Sequence, residues 1–199
     1  MTAIKICGIT READAGLAVS LGANALGFVL WPKSPRHAQL ARVKMITSTL
    51  PPFVTPVGVF VDPTADDIAR AAQSGIRLAQ VHGRVPVAAA LPVLRAVHLG
   101  DNGDGLDTEV ATLETILLDA HDPVLHGGTG RTVDFARAAS IAARRRVVLA
   151  GGLTSANVKA AIDAVKPYAV DVASGVEAEP GIKDPAKLRA FIEAVKESA

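Results

Sequence analysis

Six polar residues of this chain sit at or just beyond the ends of apolar, β-branched runs, and their types suit proton transfer and anion binding. Cys7 closes Ile4–Cys7, and Asp119 closes Thr115–Asp119. Gln80 and His82 fall at the end of Leu78–Val81, and Asp171 lies near the end of Ala169–Val172. Arg36 stands with Ser34 and Pro35 in the loop Trp31–His37. A thiol is a base only as its thiolate. Its ordinary pKa of about 8.5 leaves a few per cent ionised at neutral pH, so it needs a positive neighbour or an N–H dipole. An aspartate is an acid at neutral pH only if burial or nearby negative charge lifts it from about 3.9. A guanidinium can give a planar carboxylate two parallel hydrogen bonds. Each residue also has a plainer role. Cys7 could be a small buried hydrophobe, Asp119 a turn cap, Arg36 a solvated surface charge, and His82 a supporting hydrogen-bond partner.

Glycines add a second kind of site. Gly151-Gly152 follows the run Arg146–Ala150, Ala173-Ser174-Gly175 follows Ala169–Val172, and Gly127-Gly128-Thr129-Gly130 follows Asp119. Glycine lets a backbone approach a ligand closely, and N–H groups at a helix start attract anions. Gly151, Gly152, Ser174 and Gly175 are therefore the expected phosphate cradle, with tight turns as the plainer use of the same glycines.

These residues need a frame that brings strand ends together. Strands are expected at Ile4–Cys7, Ala25–Leu30, Pro56–Val61, Leu78–Val81, Arg95–Leu99, Thr115–Asp119, Arg146–Ala150 and Ala169–Val172. Between them the spacing predicts helices over Arg11–Leu21, Ala41–Leu50, Ala65–Gln73, Thr132–Arg144, Ser155–Val165 and Pro185–Lys196, with Thr10 and Asp184 as N-caps. A short helix is expected at Pro86–Leu91, and little helix in Gly100–Glu114. Near-continuous apolar strands alternating with helices imply a parallel α/β sheet. Eight repeats imply a compact (β/α)8 TIM barrel, one domain over residues 1–199. The active site of such a barrel lies at the C-terminal ends of its strands, and phosphate commonly binds after strands seven and eight.

Composition narrows the function. The chain has 199 residues, 49% hydrophobic and 21% charged, with a net charge of +1. That balance suits a globular domain and gives no footing for nucleic-acid binding. Arg144-Arg145-Arg146 is the only basic run, and it falls where a helix should end, favourable for the helix dipole. A single cysteine excludes an internal disulfide. His121 and His126 flank a loop without the spacing of a metal site. No apolar run approaches the roughly 18 residues of a membrane span, and the N-terminus lacks a signal-peptide pattern. The expectation is a soluble cytoplasmic enzyme with no nucleic-acid or membrane partner.

The motifs, in order, resemble the phosphoribosylanthranilate isomerase family of tryptophan biosynthesis. They are Lys5-Ile6-Cys7-Gly8-Ile9-Thr10, Gly27-Phe28, Ser34-Pro35-Arg36, Val57-Gly58-Val59-Phe60 and Gln80-Val81-His82-Gly83. Leu117-Leu118-Asp119, Gly127-Gly128-Thr129-Gly130 and Ala150-Gly151-Gly152-Leu153 follow. Val170-Asp171-Val172, Ser174-Gly175-Val176-Glu177 and Pro180-Gly181-Ile182-Lys183-Asp184 complete the set.

The resemblance implies an Amadori rearrangement of a small phosphosugar substrate, without metal or organic cofactor, in a monomer or homodimer. It implies Cys7 as the base at C2 of the sugar and Asp119 as the acid on the furanose ring oxygen. Arg36 would hold the anthranilate carboxylate, Asp171 would contact the reacting amine or sugar, and Gln80 and His82 would line the substrate. The glycine loops would hold the 5-phosphate. Two departures stand out. Ala173 replaces the first of two serines common in the phosphate loop, and Phe135 stands where a tryptophan is frequent. An isomerase of histidine biosynthesis is the nearest alternative, but that group resembles this chain with an aspartate where Cys7 stands. A barrel that binds a phosphorylated ligand without turnover is the non-enzymatic alternative.

Overall fold

A computed structural model describes residues 2–99, 114–119 and 135–198. Eight parallel strands close into a barrel in chain order. They are β1 (Ala3–Cys7), β2 (Ala25–Val29), β3 (Thr55–Val61), β4 (Leu78–His82), β5 (Val93–His98), β6 (Ile116–Asp119), β7 (Val147–Ala150) and β8 (Ala169–Val172). The ring is sealed by β1 against β8, with Ala3 opposite Ala169 and Ile6 opposite Val172. The described helices are α1 (Glu12–Leu21), α2 (Leu40–Thr47), α3 (Ala65–Gln73), α4 (Phe135–Ala142), α5 (Val158–Val165) and α6 (Pro185–Lys196). This is the (β/α)8 TIM barrel that the alternation implies.

Strand side chains alternate between two apolar environments. Ile4 and Ile6 of β1, Leu26 and Phe28 of β2, and Ile116 and Leu118 of β6 point out into the core between barrel and helices. Leu94, Leu117, Val148, Ala150 and Ala169 point in, with Ala3, Leu78 and Ala96 packed against them. The same period of two carries Lys5, Cys7, Gln80, His82, His98, Asp119 and Asp171 to the inner face. The barrel is therefore apolar through much of its interior and polar toward its C-terminal mouth.

Helix ends follow local chemistry. Asp184 caps α6 by accepting hydrogen bonds from Ala186 N and Lys187 N, and Pro185 fills the first turn. Thr64 and Asp67 close a reciprocal capping box on α3. Thr10, expected to cap the first helix, does not. Its hydroxyl donates to Gly181 O at 2.5 Å, and α1 starts one residue later behind an extended Arg11. α5 starts at Val158 instead of Ser155, because Ser155–Asn157 is a turn. No helix forms at Pro86–Leu91. Six residues ending beside Pro92 are too few to repay nucleation. The segment 100–113, residues 132–134 of the expected Thr132 helix, His121, His126 and Gly127-Gly128-Thr129-Gly130 lie outside the described residues.

One element has no counterpart in the sequence reading. After β8 the chain makes a short 3₁₀ turn, Ser174–Val176, and then an antiparallel pair, β9 (Glu177–Glu179) and β10 (Ile182–Lys183). Glu177 and Lys183 face each other across it. Among the described residues no helix is long and apolar enough to cross a membrane.

Candidate active site

Cys7 ends β1 inside the mouth, 7% exposed. Two residues earlier, and so on the same face, lies Lys5. Its ammonium donates to Asp171 Oδ1 of β8 at 2.9 Å, with both side chains buried. The Lys5 charge also favours the ionised form of the Cys7 thiol. Gly27 of β2 makes room for this cluster. A Cβ there would lie 2.8 Å from Cys7 Sγ and 3.0 Å from Lys5 Nζ.

Asp119 ends β6 and lies across from Cys7, with β7 and β8 between them on the shorter way round. His98 of β5 is its register partner. His82 of β4 lies near His98, with ring centroids 6.2 Å apart. Burial holds His82 below the ordinary histidine range. His98 and Lys5 push it the same way, and Asp119 and Asp171 oppose them. His82 is thus neutral at physiological pH, and the charges it senses come from both sides of one mouth. Gln80 Nε2 is 2.9 Å from His82 Nε2. With the ring neutral, that contact makes Nε2 the acceptor and puts the proton on Nδ1. The other end of the amide, Gln80 Oε1, is buried with no partner among the described residues. A buried acceptor of this kind is expensive to leave unsatisfied and invites a ligand hydroxyl or a water.

Arg36 reaches the same rim from the loop after β2. Its Nε lies 3.0 Å from both Glu177 oxygens, and its Nη2 donates to Glu177 Oε2 at 2.7 Å. Burial pushes Glu177 up, but hydrogen bonds from Arg36 and Lys183 outweigh it and leave the carboxylate below its ordinary range. The fork expected to face a ligand carboxylate is thus largely used to fix the guanidinium, and Nη1 is the edge not engaged by Glu177.

Lys183, 1% exposed, ties these parts together. Its three ammonium protons reach Cys7 O at 2.5 Å, Ala173 O at 3.2 Å and Glu177 Oε1 at 2.9 Å. One buried cation thereby joins the strand end that carries the thiol, the loop after β8 and the carboxylate that holds Arg36. Removing one partner of a buried ion pair costs about 3–5 kcal/mol. Lys183→Met is expected to destabilise the fold by about that much in denaturant titration. A loss under about 1 kcal/mol, the scale of an exposed pair, would show that the bridge is not structural.

Gly151, Gly152, Ser174 and Gly175, the expected phosphate cradle, lie in two loops that touch. Gly151 and Gly152 have φ of +96° and +64°, a conformation that favours glycine. Asn157 braces their loop, donating to Gly152 O at 3.0 Å and accepting from Thr154 N at 2.8 Å. A Cβ on Gly152 would meet nothing within 4 Å, so one side of the loop is open. Gly175 has the opposite constraint, because a Cβ there would overlap Leu153 O. The two loops therefore touch, and exposed Ser174 sits beside the contact. Ala173 contributes its carbonyl, which needs no hydroxyl, and Phe135 packs against the core from the start of α4.

Lys5, His98, Glu177 and Lys183 belong to the site but not to the set read from strand ends. Lys5 left a signal. A lysine alternating with Ile4 and Ile6 in a strand covered outside by helices must face the barrel interior. Among the described residues no group of three or more His, Cys, Asp or Glu side chains could hold a metal.

A barrel with a thiol, a carboxylate and a neutral histidine at its mouth belongs to the class of (β/α)8 enzymes, and its paired glycine loops follow β7 and β8, where such barrels commonly bind phosphate. The family model for N-(5'phosphoribosyl)anthranilate (PRA) isomerase matches residues 4–194. The chain is 47% identical over 201 residues to the N-(5'-phosphoribosyl)anthranilate isomerase of Chromohalobacter salexigens, covering 98% of this chain and 94% of that one. The phosphoribosyl anthranilate isomerase structure from Thermotoga maritima superposes with a TM-score of 0.89 at 40% identity, over 99% of this chain and 100% of that one. Another isomerase, in complex with reduced 1-(o-carboxyphenylamino)-1-deoxyribulose 5-phosphate, gives 0.86 at 38% identity, with 99% and 100% covered. The chain belongs to the PRA isomerase family, enzymes of tryptophan biosynthesis.

Proposed function

We propose that this chain converts N-(5-phosphoribosyl)anthranilate into 1-(2-carboxyphenylamino)-1-deoxyribulose 5-phosphate, with Cys7 as base and Asp119 as acid and no metal or organic cofactor. The observation that carries this reading is the placement of a thiol on β1 and a carboxylate on β6, both turned into one barrel mouth. The relative in complex with the reduced product supports it, because its ligand combines a phosphate, a ribulose chain and an aryl carboxylate. Asp119 gives a proton to the ring oxygen as the C1–O bond breaks, and the nitrogen lone pair closes a C=N bond. Cys7 then takes the proton from C2, and the electron pair of that C–H bond forms the C1=C2 enolamine. Tautomerisation of the enolamine yields the ketone. The loops at Gly151-Gly152 and Ser174-Gly175 hold the 5-phosphate, Arg36 takes the carboxylate, and Asp171, Gln80 and His82 line the sugar. Gln80 Oε1 is the acceptor available to a sugar hydroxyl.

The structure meets only half of the thiol's requirement. Burial raises the Cys7 thiol above its ordinary value, Lys5 and Lys183 pull it down, and Asp171 adds to the rise. Cations are present, but burial is the larger effect. The base must be ionised to act, so kcat/KM is expected to climb with pH through and beyond the ordinary thiol range. A profile already flat at neutral pH would contradict a raised thiol acting as base.

Substrate deuterated at C2 of the sugar tests the proton abstraction. In single turnovers the deuterated sugar should react more slowly, with equal rates excluding C–H cleavage as the limiting chemical step. Arg36→Ala should raise KM by about tenfold or more with a smaller change in kcat, as expected for lost uniform binding. An unchanged KM would remove Arg36 as the carboxylate clamp. The isomerase of Thermotoga maritima is dimeric and has also been solved as generated monomers; sedimentation of this chain decides between monomer and homodimer.

A further inference from the structure

Among the described residues three cations, Lys5, Lys183 and Arg36, bear on Cys7, and their hydrogen bonds separate their roles. Lys183 spends all three ammonium protons on Cys7 O, Ala173 O and Glu177 Oε1, so none remains for the sulfur. Arg36 from the β2 loop commits Nε and Nη2 to Glu177. Lys5 differs. It gives one proton to Asp171 at 2.9 Å, and its Nζ and the Cys7 sulfur flank one point, the vacant Cβ position of Gly27.

Gly27 keeps that arrangement tight. It is not among the positive-φ residues, so its backbone does not call for glycine. A Cβ at this position would crowd both Sγ, at 2.8 Å, and Nζ, at 3.0 Å. The missing side chain on β2 is the niche in which sulfur and ammonium lie together. Lys5 keeps its charge here although it is only 4% exposed. Burial alone would lower its pKa, but Asp171 and Cys7 together reverse the shift.

We propose that Lys5 is the positioning residue for the base: its ammonium stabilises the Cys7 thiolate, and Asp171 sets how much of that charge the sulfur receives. The proposal rests on the reading of Cys7 as the base. Lys5 acts through the sulfur, without touching the substrate. Among the described residues, the charges that bear on the sulfur are then assigned. Lys183 and Arg36 are offset by Glu177, Lys5 is shared between Asp171 and the thiolate, and His82 across the mouth is neutral.

Cys7 is the only cysteine, so ultraviolet thiolate absorbance of the free enzyme, minus that of Cys7→Ala, reports its titration alone. Lys5→Met is expected to move that titration upward by about one to three pH units, the effect of losing one adjacent opposite charge. Asp171→Asn is expected to move it downward, because the sulfur becomes the only anionic partner of Lys5. Opposite signs from two halves of one ion pair are not what general loosening of the fold produces. Should Lys5→Met fail to fold, Lys5→Met combined with Asp171→Leu removes both charges and is expected to raise the titration by less. An unmoved titration in the Lys5 variants, or an upward shift in Asp171→Asn, would overturn the proposal. The pH limb of kcat/KM separates it from the reading beneath. A limb that follows the titration in each variant supports both. A titration that moves under a fixed limb supports the Lys5–thiolate pairing and removes Cys7 as the base.

Discussion

Cys7→Ala is expected to lower kcat by about 10²–10⁴-fold, the usual contribution of a positioned general base, with little change in KM. The reasoning is local. The sulfur ends β1 inside the mouth and is held between Lys5 and the Gly27 niche. Alanine removes the proposed proton acceptor without a new contact, and the loops proposed to hold the phosphate and the carboxylate lie elsewhere. Steady-state kinetics on freshly generated substrate read the split directly. A kcat within about threefold of wild type would take the thiol out of the chemistry, since even the low end of general-base catalysis is larger.

Asp119→Asn is expected to have the second large effect, a fall in kcat of about 10²-fold or more, also with KM largely kept. The amide preserves the shape and can still donate a hydrogen bond, but it cannot transfer a proton to the departing ring oxygen. The substitution therefore separates positioning from proton transfer. Its register partner His98 and nearby His82 are unaltered, so a loss reports the carboxyl itself. Normal turnover by this variant would move the acid role to another group. A large rise in KM with kcat kept would make Asp119 a binding residue.

Much of this site was legible in the chain because a parallel barrel converts strand ends into one place. Cys7, Gln80, His82, Asp119 and Asp171 needed only the eight apolar runs and the period of two within each. The glycines at 151 and 152 were legible through their place before a helix, and the structure gives both a positive φ. Contacts between segments distant in sequence were not legible. Thr10 looks like a cap until Gly181, 171 residues away, takes its hydroxyl. Arg36 looks free until Glu177, 141 residues away, occupies its fork. Nothing in the residues around Lys183 marks it as buried, yet it lies against a carbonyl 176 residues earlier. Local periodicity carries no information on such pairings. Lys5 is the intermediate case: its inward direction follows from alternation, but its sharing between Asp171 and Cys7 depends on β1 and β8 closing the ring.

The most direct test of the central claim is turnover of freshly generated phosphoribosylanthranilate by the purified chain, with and without a metal chelator. The account predicts rapid loss of substrate and stoichiometric appearance of the carboxyphenylamino-deoxyribulose 5-phosphate at the same rate in both. A folded chain that binds phosphate but does not turn this substrate over, or whose turnover stops with chelator, would contradict it.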